Sequence, residues 1–578
     1  MTRQLKLDLT TLHDLQLVSH LDYYFAKTMA AAFHETSPLV LVSCALASQA
    51  VSDGYICIDL KKKAGTRLRI PEQEACIQFP PFEEWKKALA CADMVGRDKY
   101  LWEEGALGPE NKFPLVLDSG NLYLSRYYDF QKRLVHNLCC RVGVPPVQMN
   151  PGFDRIYLDP LFSGQTTKQA EKQKEAVEKA LAHNFLVISG GPGTGKTYIT
   201  TLIKTLLDRY AESCETSKPR ILAVAPTGKA ASRLANGRTI HSVLSPLRGQ
   251  SGFLYNQGNP LPVDVVIVDE ASMIDIALMT RLLEAIPLEA KVIFLGDKDQ
   301  LSPVQAGAVF ADICRVKGLE AHLVFLTYNF RSRGKTGIEN LARAINRNDV
   351  TSMETILSGS QYPDIGYEDT RKEEGLDQIL EKYIIRGYTP LTEQADLLNS
   401  LENLDSFRIL CAHNMGETGT LQINHLCENI LRSHPNFDIR TQFFKKIVMI
   451  SANDYSRGLF NGDTGIVYEE DKVIKAGFQD AGGNVRQYRY LDLMAHETAF
   501  AVTIHKSQGS EFDSVLIIIP EKLSPIVTRQ LLYTGVTRAR KKAIIVGSLD
   551  VIKEAMNLSP EPSSTVAVLL EQRLCRKT

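Results

Sequence analysis

The stretch Gly190-Gly191-Pro192-Gly193-Thr194-Gly195-Lys196-Thr197 constrains this chain more than any other. It matches G-x-x-x-x-G-K-[ST]; the apolar run Phe185–Ser189 precedes it and a helical stretch, Tyr198 to Tyr210, follows. In that setting the glycines let backbone N–H groups curl around phosphate oxygens, and the helix N-terminus adds favourable partial charge. Lys196 is expected to reach the β- and γ-phosphates of ATP, and Thr197 to ligate Mg²⁺. A strand, a phosphate loop and a helix belong in an α/β fold with a parallel sheet. The rest of the chain has to supply that sheet.

It does so twice. Phe185–Ser189, Ile221–Ala225, Val265–Val268 and Val292–Leu295 read as apolar strands alternating with helices, the pattern of a sheet covered on both faces. The alternation resumes with Arg408–Ala412, Phe500–Ile504, Val515–Ile519 and Ala543–Val546, so two similar α/β lobes are expected. At 578 residues the chain is also too long for one core, since single cores stop growing near ~250–300 residues. The predicted division is a helix-rich N-terminal domain over 1–110, a first lobe over 111–355 and a second over 356–578. In the first region Leu12, Leu15, Leu17 and Leu21 recur at roughly helical spacing, and a buried helix spans Leu39–Val51. The segment Gly105–Pro109 reads as a linker, a hairpin turns at Ser119-Gly120-Asn121, and a helix runs from Arg126 to Cys140. Residues 245–262 are predicted to form a small β-hairpin, and residues 437–497 a β-rich insertion with a turn at Asn461-Gly462-Asp463.

The strand Val265–Val268 ends in Asp269 and Glu270. Consecutive residues at a strand end face different ways. Asp269 can therefore hold Mg²⁺ while Glu270 orients or deprotonates an attacking water. Alone, such a pair is as easily a solvated strand end; behind a phosphate loop it predicts ATP hydrolysis.

Four further motifs say what the hydrolysis drives. Gly296-Asp297-Lys298-Asp299-Gln300-Leu301, Asn329-Phe330-Arg331-Ser332, Thr503-Ile504-His505-Lys506-Ser507-Gln508-Gly509-Ser510-Glu511-Phe512 and Tyr533-Thr534-Gly535-Val536-Thr537-Arg538-Ala539-Arg540 resemble superfamily-1 helicases in order and spacing. The resemblance runs from about Gln173 to Arg540 and implies two RecA-like P-loop NTPase lobes. It implies that Gln300 senses the γ-phosphate and that Arg331 and Arg538 act as arginine fingers. Glu511 would bind the ribose and Gln173 the adenine, although a solvated helix side chain explains Gln173 as well. It also places nucleic-acid contacts at Pro226, Thr227, Gly228 and Lys229, with Thr239, His241, His413, Asn414, Asn461, Thr503, His505 and Lys506 continuing the track. Taken alone, His241 reads more readily as a packed or capping histidine.

Gly228-Lys229-Ala230-Ala231 and Val268-Asp269-Glu270-Ala271-Ser272-Met273 look like the 5′→3′ branch of the superfamily. Leu459–Gly465, His496–Phe500, Gly54–Leu60 and Leu122–Tyr127 resemble the RecD family over nearly the whole length. That resemblance implies a DNA helicase that loads on single-stranded 5′ tails at duplex ends, in a heterotrimer with RecB-like and RecC-like subunits. Within it the 245–262 hairpin would be a strand-separating pin, the insertion an SH3-like domain, and the N-terminal domain the docking site for a partner subunit. Nuclease activity is expected on another subunit.

Net charge is −1, so any positive surface for DNA must be local, lining a groove. The 11 cysteines contain no CxxC pair and fit reduced thiols in the cytoplasm rather than a metal cluster. The N-terminus lacks the apolar stretch of a signal peptide, and no membrane association is expected. Three rival readings are an RNA helicase of the same superfamily, a DNA clamp using ATP as a switch, and a stand-alone AAA-type ATPase. The last two sit poorly with the motifs around Glu270, Lys506 and Arg538.

Overall fold

The computed structural model describes residues 3–70, 75–97, 113–148, 150, 152–162, 168–247, 249, 252–330, 336–371, 375–393, 396–433, 445–454, 456–480, 482–558 and 564–575. The first lobe is a six-stranded parallel sheet in the order Arg238–Thr239, Ile221–Ala225, Val265–Val268, Lys291–Gly296, Phe185–Gly190, Leu323–Leu326. Val265 to Val268 and Phe185 to Gly190 are buried throughout, as strands covered on both faces must be. The second lobe is a five-stranded parallel sheet, Ile365–Glu368, Ala539–Val546, Phe512–Ile518, Phe407–Cys411, Ala501–Thr503. Four strands of each sheet match the strand–helix alternation, with ends shifted by a few residues; Arg238–Thr239, Leu323–Leu326 and Ile365–Glu368 are additional to it.

Between the helix Thr420–Ser433 and the strand Ala501–Thr503, the chain leaves the second lobe. It forms an antiparallel five-stranded sheet from Lys446–Ile450 to His496–Thr498. This is the β-rich insertion, with its own small core of Val448, Leu459, Val467 and Phe478. The N-terminal region is helical over Leu9–Asp14, His20–Phe33, Pro38–Ser52 and Phe82–Cys91. It also holds a three-stranded sheet that periodicity did not reveal.

Three expected boundaries move. The hairpin Leu115–Asp118 with Asn121–Leu124, predicted within the first lobe, pairs instead with Cys57–Asp59 and Val95–Arg97. Leu115 and Leu122 enter the N-terminal core while Val116 and Tyr123 face the core of the first lobe, so the hairpin packs between the two. The helix Gly337–Asn346 and the start of Val350–Ser358 fall within the span expected for the first lobe, yet Leu341, Ile345 and Met353 bury into the core of the second. The last helix, Val566–Cys575, was placed in the second lobe but returns to the first. Val566 and Leu570 enter that core, and Tyr123 Oη and Thr565 Oγ1 share a hydrogen bond of 2.8 Å.

The hairpin expected at 245–262 is not a ladder among the described residues. Two isolated bridges, Pro246 with Phe253 and Asn256 with Asn259, hold a folded loop. Asn256 and Asn259 side chains donate to the Leu254 carbonyl at 3.2 and 3.0 Å, satisfying locally what a partner strand would otherwise take. Residues 248, 250 and 251, the Gly105–Pro109 linker and Arg331 lie outside the described residues.

One buried cation stiffens the frame under the site. Arg141 is fully buried and donates to the carbonyls of Leu283, Ile286, Pro287 and Ala290, which close the helix Ile276–Ala285 and lead to the strand Lys291–Gly296. Those carbonyls have no partner within the helix, so a buried guanidinium fork is well suited to them. Burial pulls its pKa down to about 10. Among the described residues no helix is long and apolar enough to cross a membrane.

Candidate functional site

The strand Phe185–Gly190 delivers the phosphate loop to the carboxyl edge of the first sheet, where open α/β sheets bind their ligands. Gly193 and Gly195 take φ of +77° and +88°, which a side chain would resist. Gly190 is packed too: a Cβ there would lie 2.6 Å from Thr194 Oγ1 and 2.8 Å from Leu326 Cβ. The helix Lys196–Ser213 starts directly on Gly195, so its free N–H groups face the loop. Lys196 Nζ folds back on the carbonyls of Gly190 and Gly191 at 2.5 and 3.1 Å.

A cavity of about 380 Å³ opens over this loop, and both lobes line it. The first contributes Gly193 to Thr197, Ala230, Arg233, Asp269, Glu270 and Gln300; the second contributes Glu511 and Arg538. The sequence-predicted residues Lys196, Thr197, Asp269, Glu270, Gln300, Glu511 and Arg538 are therefore brought together. Arg538 is 2% exposed and is held by Nε on Thr534 O at 3.2 Å and Nη1 on Ser510 O at 3.1 Å. Asp269 Oδ1 accepts the Glu270 N–H at 2.8 Å. Glu270 itself has φ +49°, an uncommon backbone for a non-glycine residue. Burial first, and the neighbouring Asp269 second, raise the Glu270 carboxyl pKa, against the charges of Lys196, Arg538 and Arg233.

Gln300 joins the cavity to the seam. Its Nε2 donates to Asp297 Oδ2 at 3.1 Å, while its buried Oε1 has no partner among the described residues. Asp297, 2% exposed, also accepts Tyr533 Oη from the second lobe at 2.9 Å. Next to it, Leu301 N donates to Thr534 Oγ1 at 3.0 Å and Leu301 O accepts Gln508 Nε2 at 3.1 Å. The Asp297–Leu301 loop is thus gripped by the second lobe. Tyr533, Thr534 and Gln508 lie in the motifs but carry no role that sequence assigns; their contacts across the seam reveal one.

Gln173 sits below the loop, 3% exposed, with Nε2 donating to Thr194 O at 3.2 Å. It is not the solvated side chain that a polar helix allows. The Asn329-Phe330 segment runs beside it: Phe330 N donates to Gly193 O at 2.9 Å and Asn329 Nδ2 to Pro192 O at 3.2 Å. Phe330 keeps an exposed ring next to the loop. A larger cavity, about 610 Å³, lies across the loop and is lined by Asn329, Arg343, Arg347, Tyr533 and Arg540. It lacks Lys196, Glu270 and Arg538, which line the smaller one.

The residues expected along a nucleic-acid track are less tightly gathered. Thr227 caps the helix Gly228–Ser232 by accepting Ala230 N at 3.2 Å, and it faces Gly509 of the second lobe. Gly228 packs against Phe460 of the insertion, and Lys229 stands 5.8 Å from the Phe512 ring. Burial lowers the Lys229 pKa to about 8. Asn461, in the same loop as Phe460, is exposed, with its N–H on Asn453 Oδ1 at 2.8 Å. Lys506 Nζ is bound to both Glu497 oxygens at 2.6 and 2.8 Å. Thr503 is buried and accepts Lys506 N at 3.3 Å, while His505 beside it is half-buried. Thr239 is a helix cap on Ser242 N at 3.1 Å, and exposed His241 leans toward Phe253. His413 bonds Ser524 Oγ at 2.7 Å, and Asn414 accepts Thr420 Oγ1 at 3.1 Å.

Known proteins bear on this geometry. Residues 14–123 match the family model for the RecBCD enzyme subunit RecD N-terminal domain, 173–306 that for an AAA domain, and 498–546 that for a UvrD-like helicase C-terminal domain. The chain is 30% identical over 569 residues to the RecBCD enzyme subunit RecD of Mycolicibacterium smegmatis, covering 94% of this chain and 95% of that one. It is 28% identical to the same subunit of Haemophilus influenzae, covering 97% and 98%. An ATP-dependent RecD2 DNA helicase of Deinococcus radiodurans is 28% identical over 78% of this chain and 58% of its own. A solved Pif1 helicase structure aligns over 70% of this chain and 97% of its own with TM-score 0.41 at 20% identity.

Proposed function

As a member of the RecD family of RecBCD enzyme subunits, this chain is an ATP-dependent DNA helicase, and we propose that its two lobes share one ATP at their seam. One observation carries the reading: a single cavity is lined by Lys196, Asp269, Glu270 and Gln300 from one lobe and by Glu511 and Arg538 from the other.

The division of labour follows from what each group is bonded to. Lys196 rests on two loop carbonyls and would exchange them for the β- and γ-phosphate oxygens. Glu270, its basicity raised by burial and by Asp269, accepts the proton of the attacking water. The Gln300 amide oxygen, unpartnered among the described residues, would orient that water, and its other end is tied through Asp297 to Tyr533. Arg538 stabilises charge on the transferring phosphoryl group, and Arg331 would add a second guanidinium. Gln173 and the exposed Phe330 ring flank the loop where the adenine would stack and be read, with Glu511 at the ribose.

Thr197 and Asp269 line the same cavity, and among the described residues Asp269 Oδ1 accepts one backbone N–H. Among the described residues no cluster of three or more His, Cys, Asp and Glu could hold a metal by itself. The Thr197 hydroxyl and the Asp269 carboxylate suit Mg²⁺, which takes one or two protein oxygens and completes its shell with phosphate and water. Bound there, it would neutralise phosphate charge.

For DNA, we propose a track along Pro226–Lys229, Asn461 and Thr503–Lys506, over which the insertion folds. Translocation would run 5′→3′ on single-stranded DNA within a complex with RecB-like and RecC-like subunits. The N-terminal region through Leu124 would serve as the docking module, and the 245–262 loop would meet the duplex. Unwinding of duplexes bearing only a 5′ or only a 3′ tail tests the polarity. The share of activity lost with Lys196→Gln should require the 5′ tail; dependence on the 3′ tail refutes the assignment.

A further inference from the structure

Arg233 carries no expected role in the sequence motifs, yet it lines the same cavity as Lys196, Asp269, Glu270, Gln300 and Arg538. Its situation differs from theirs. Lys196 is held by two carbonyls and Arg538 by two others. The exposed Arg233 guanidinium has neither a hydrogen bond nor an ion pair among the described residues. It is therefore a cation at the site whose position depends on its backbone rather than on a fixed partner. Its charge is among those that reach Glu270.

That backbone is the far end of the Gly228–Ser232 helix. Arg233 is its C-cap, with N–H on Ala230 O at 3.3 Å. Thr227 is its N-cap, on Ala230 N at 3.2 Å. Ala230 is bonded to both caps and itself lines the cavity. Ala231 bonds back to Thr227 O at 3.0 Å, and Gly237 packs so closely on Ala231 and Leu234 that a Cβ would collide with them. A unit of one and a half turns this tightly closed moves as a piece, so displacement at Thr227 is displacement at Arg233.

We propose that Arg233 is a positioning residue that links DNA held at Pro226–Lys229 to hydrolysis, by setting the Glu270 carboxylate against the water it deprotonates. This rests on the nucleotide and DNA assignments above and adds the link between them.

The test uses the complete complex, with the turnover removed by Lys196→Gln taken as this chain's share. That share is measured with and without a single-stranded oligonucleotide in wild type, Arg233→Ala and Arg233→Lys, separating kcat from KM for ATP. Arg233→Ala should lower the DNA-stimulated kcat about 10–100-fold, the scale of a displaced catalytic group, with KM for ATP little changed. Arg233→Lys should recover part of it. Undiminished DNA stimulation in Arg233→Ala overturns the proposal. So does a loss expressed in KM, or one that lysine does not relieve, since either would mark a binding or structural role. If Lys196→Gln removes no turnover, the nucleotide site itself is misassigned and the link falls with it.

Discussion

The proposed nucleotide seam and the proposed nucleic-acid track are built from equally recognisable motifs, but they differ in how their side chains are held. At the seam, Asp297, Gln300 and Arg538 are buried; Asp297 accepts Tyr533 across the lobes and holds Gln300, and Arg538 reaches the Ser510 carbonyl from a separate element. Along the track, Thr227 and Thr239 are helix caps, Lys506 is paired with Glu497, and Asn414 serves its own loop. A buried polar group that loses its partner costs about 1–3 kcal/mol, and more when charged, whereas an exposed pair contributes about 0.2–1 kcal/mol. The seam is therefore set by the fold before a ligand arrives. The track is set largely by what binds to it.

If that contrast is right, seam substitutions should have large and specific effects. Lys196→Gln comes first, with ATP turnover of this chain falling about 10³-fold or more, read as loss of DNA-stimulated phosphate release. Turnover near wild type would remove the phosphate loop from the account. Tyr533→Phe deletes one hydroxyl yet unties Asp297, at a cost of about 1.5–3 kcal/mol for a bond to a buried charge. Turnover should drop roughly tenfold or more, and a change under about twofold would mean that the seam bond is idle.

Track substitutions should be gentler and should depend on solution conditions. Lys506→Ala should reduce the slope of log affinity against log salt by about 0.7–0.9 if the lysine meets a phosphate, with similar losses on all sequences. An unchanged slope leaves Lys506 as the partner of Glu497 alone. Smallest is the pH effect at Lys229. Burial brings its pKa to about 8, so its charge is present below that value and lost as pH rises through it. DNA affinity should weaken between pH 7 and 9 in the wild type, and less so in Lys229→Met. Identical pH profiles would show that Lys229 stays within the lobe interface beside Phe512.

The same contrast explains what the sequence could tell. Loop, carboxylate and finger motifs have fixed spacing because phosphate chemistry demands it, so Lys196, Asp269, Glu270 and Arg538 could be named and are found in one cavity. Apolar strands buried on both faces, such as Val265–Val268, were equally legible. Domain edges were not. The apolar face of Gly337–Asn346 says that Leu341 and Ile345 are buried, but not in which lobe, and Val566 and Leu570 are no more explicit. The edge strand Ile365–Glu368, half-buried and broken by Gly366, lacks the apolar run that marks the others. Arg233 went unnoticed because an exposed arginine after a short helix gives no signal until Ala230, Glu270 and Lys196 stand around it. The 245–262 loop has the turn residues of a hairpin, but Asn256 and Asn259 use their side chains to close it locally.

The central claim is that the two lobes act on one nucleotide. It is tested most directly by measuring ATP affinity and single-turnover hydrolysis together in Arg538→Ala. Removal of a finger held in the second lobe should slow hydrolysis by about 10³-fold, with affinity for ATP nearly preserved. Wild-type hydrolysis with strongly weakened ATP binding would contradict it, leaving Arg538 as a residue of ground-state binding or packing rather than of the shared site.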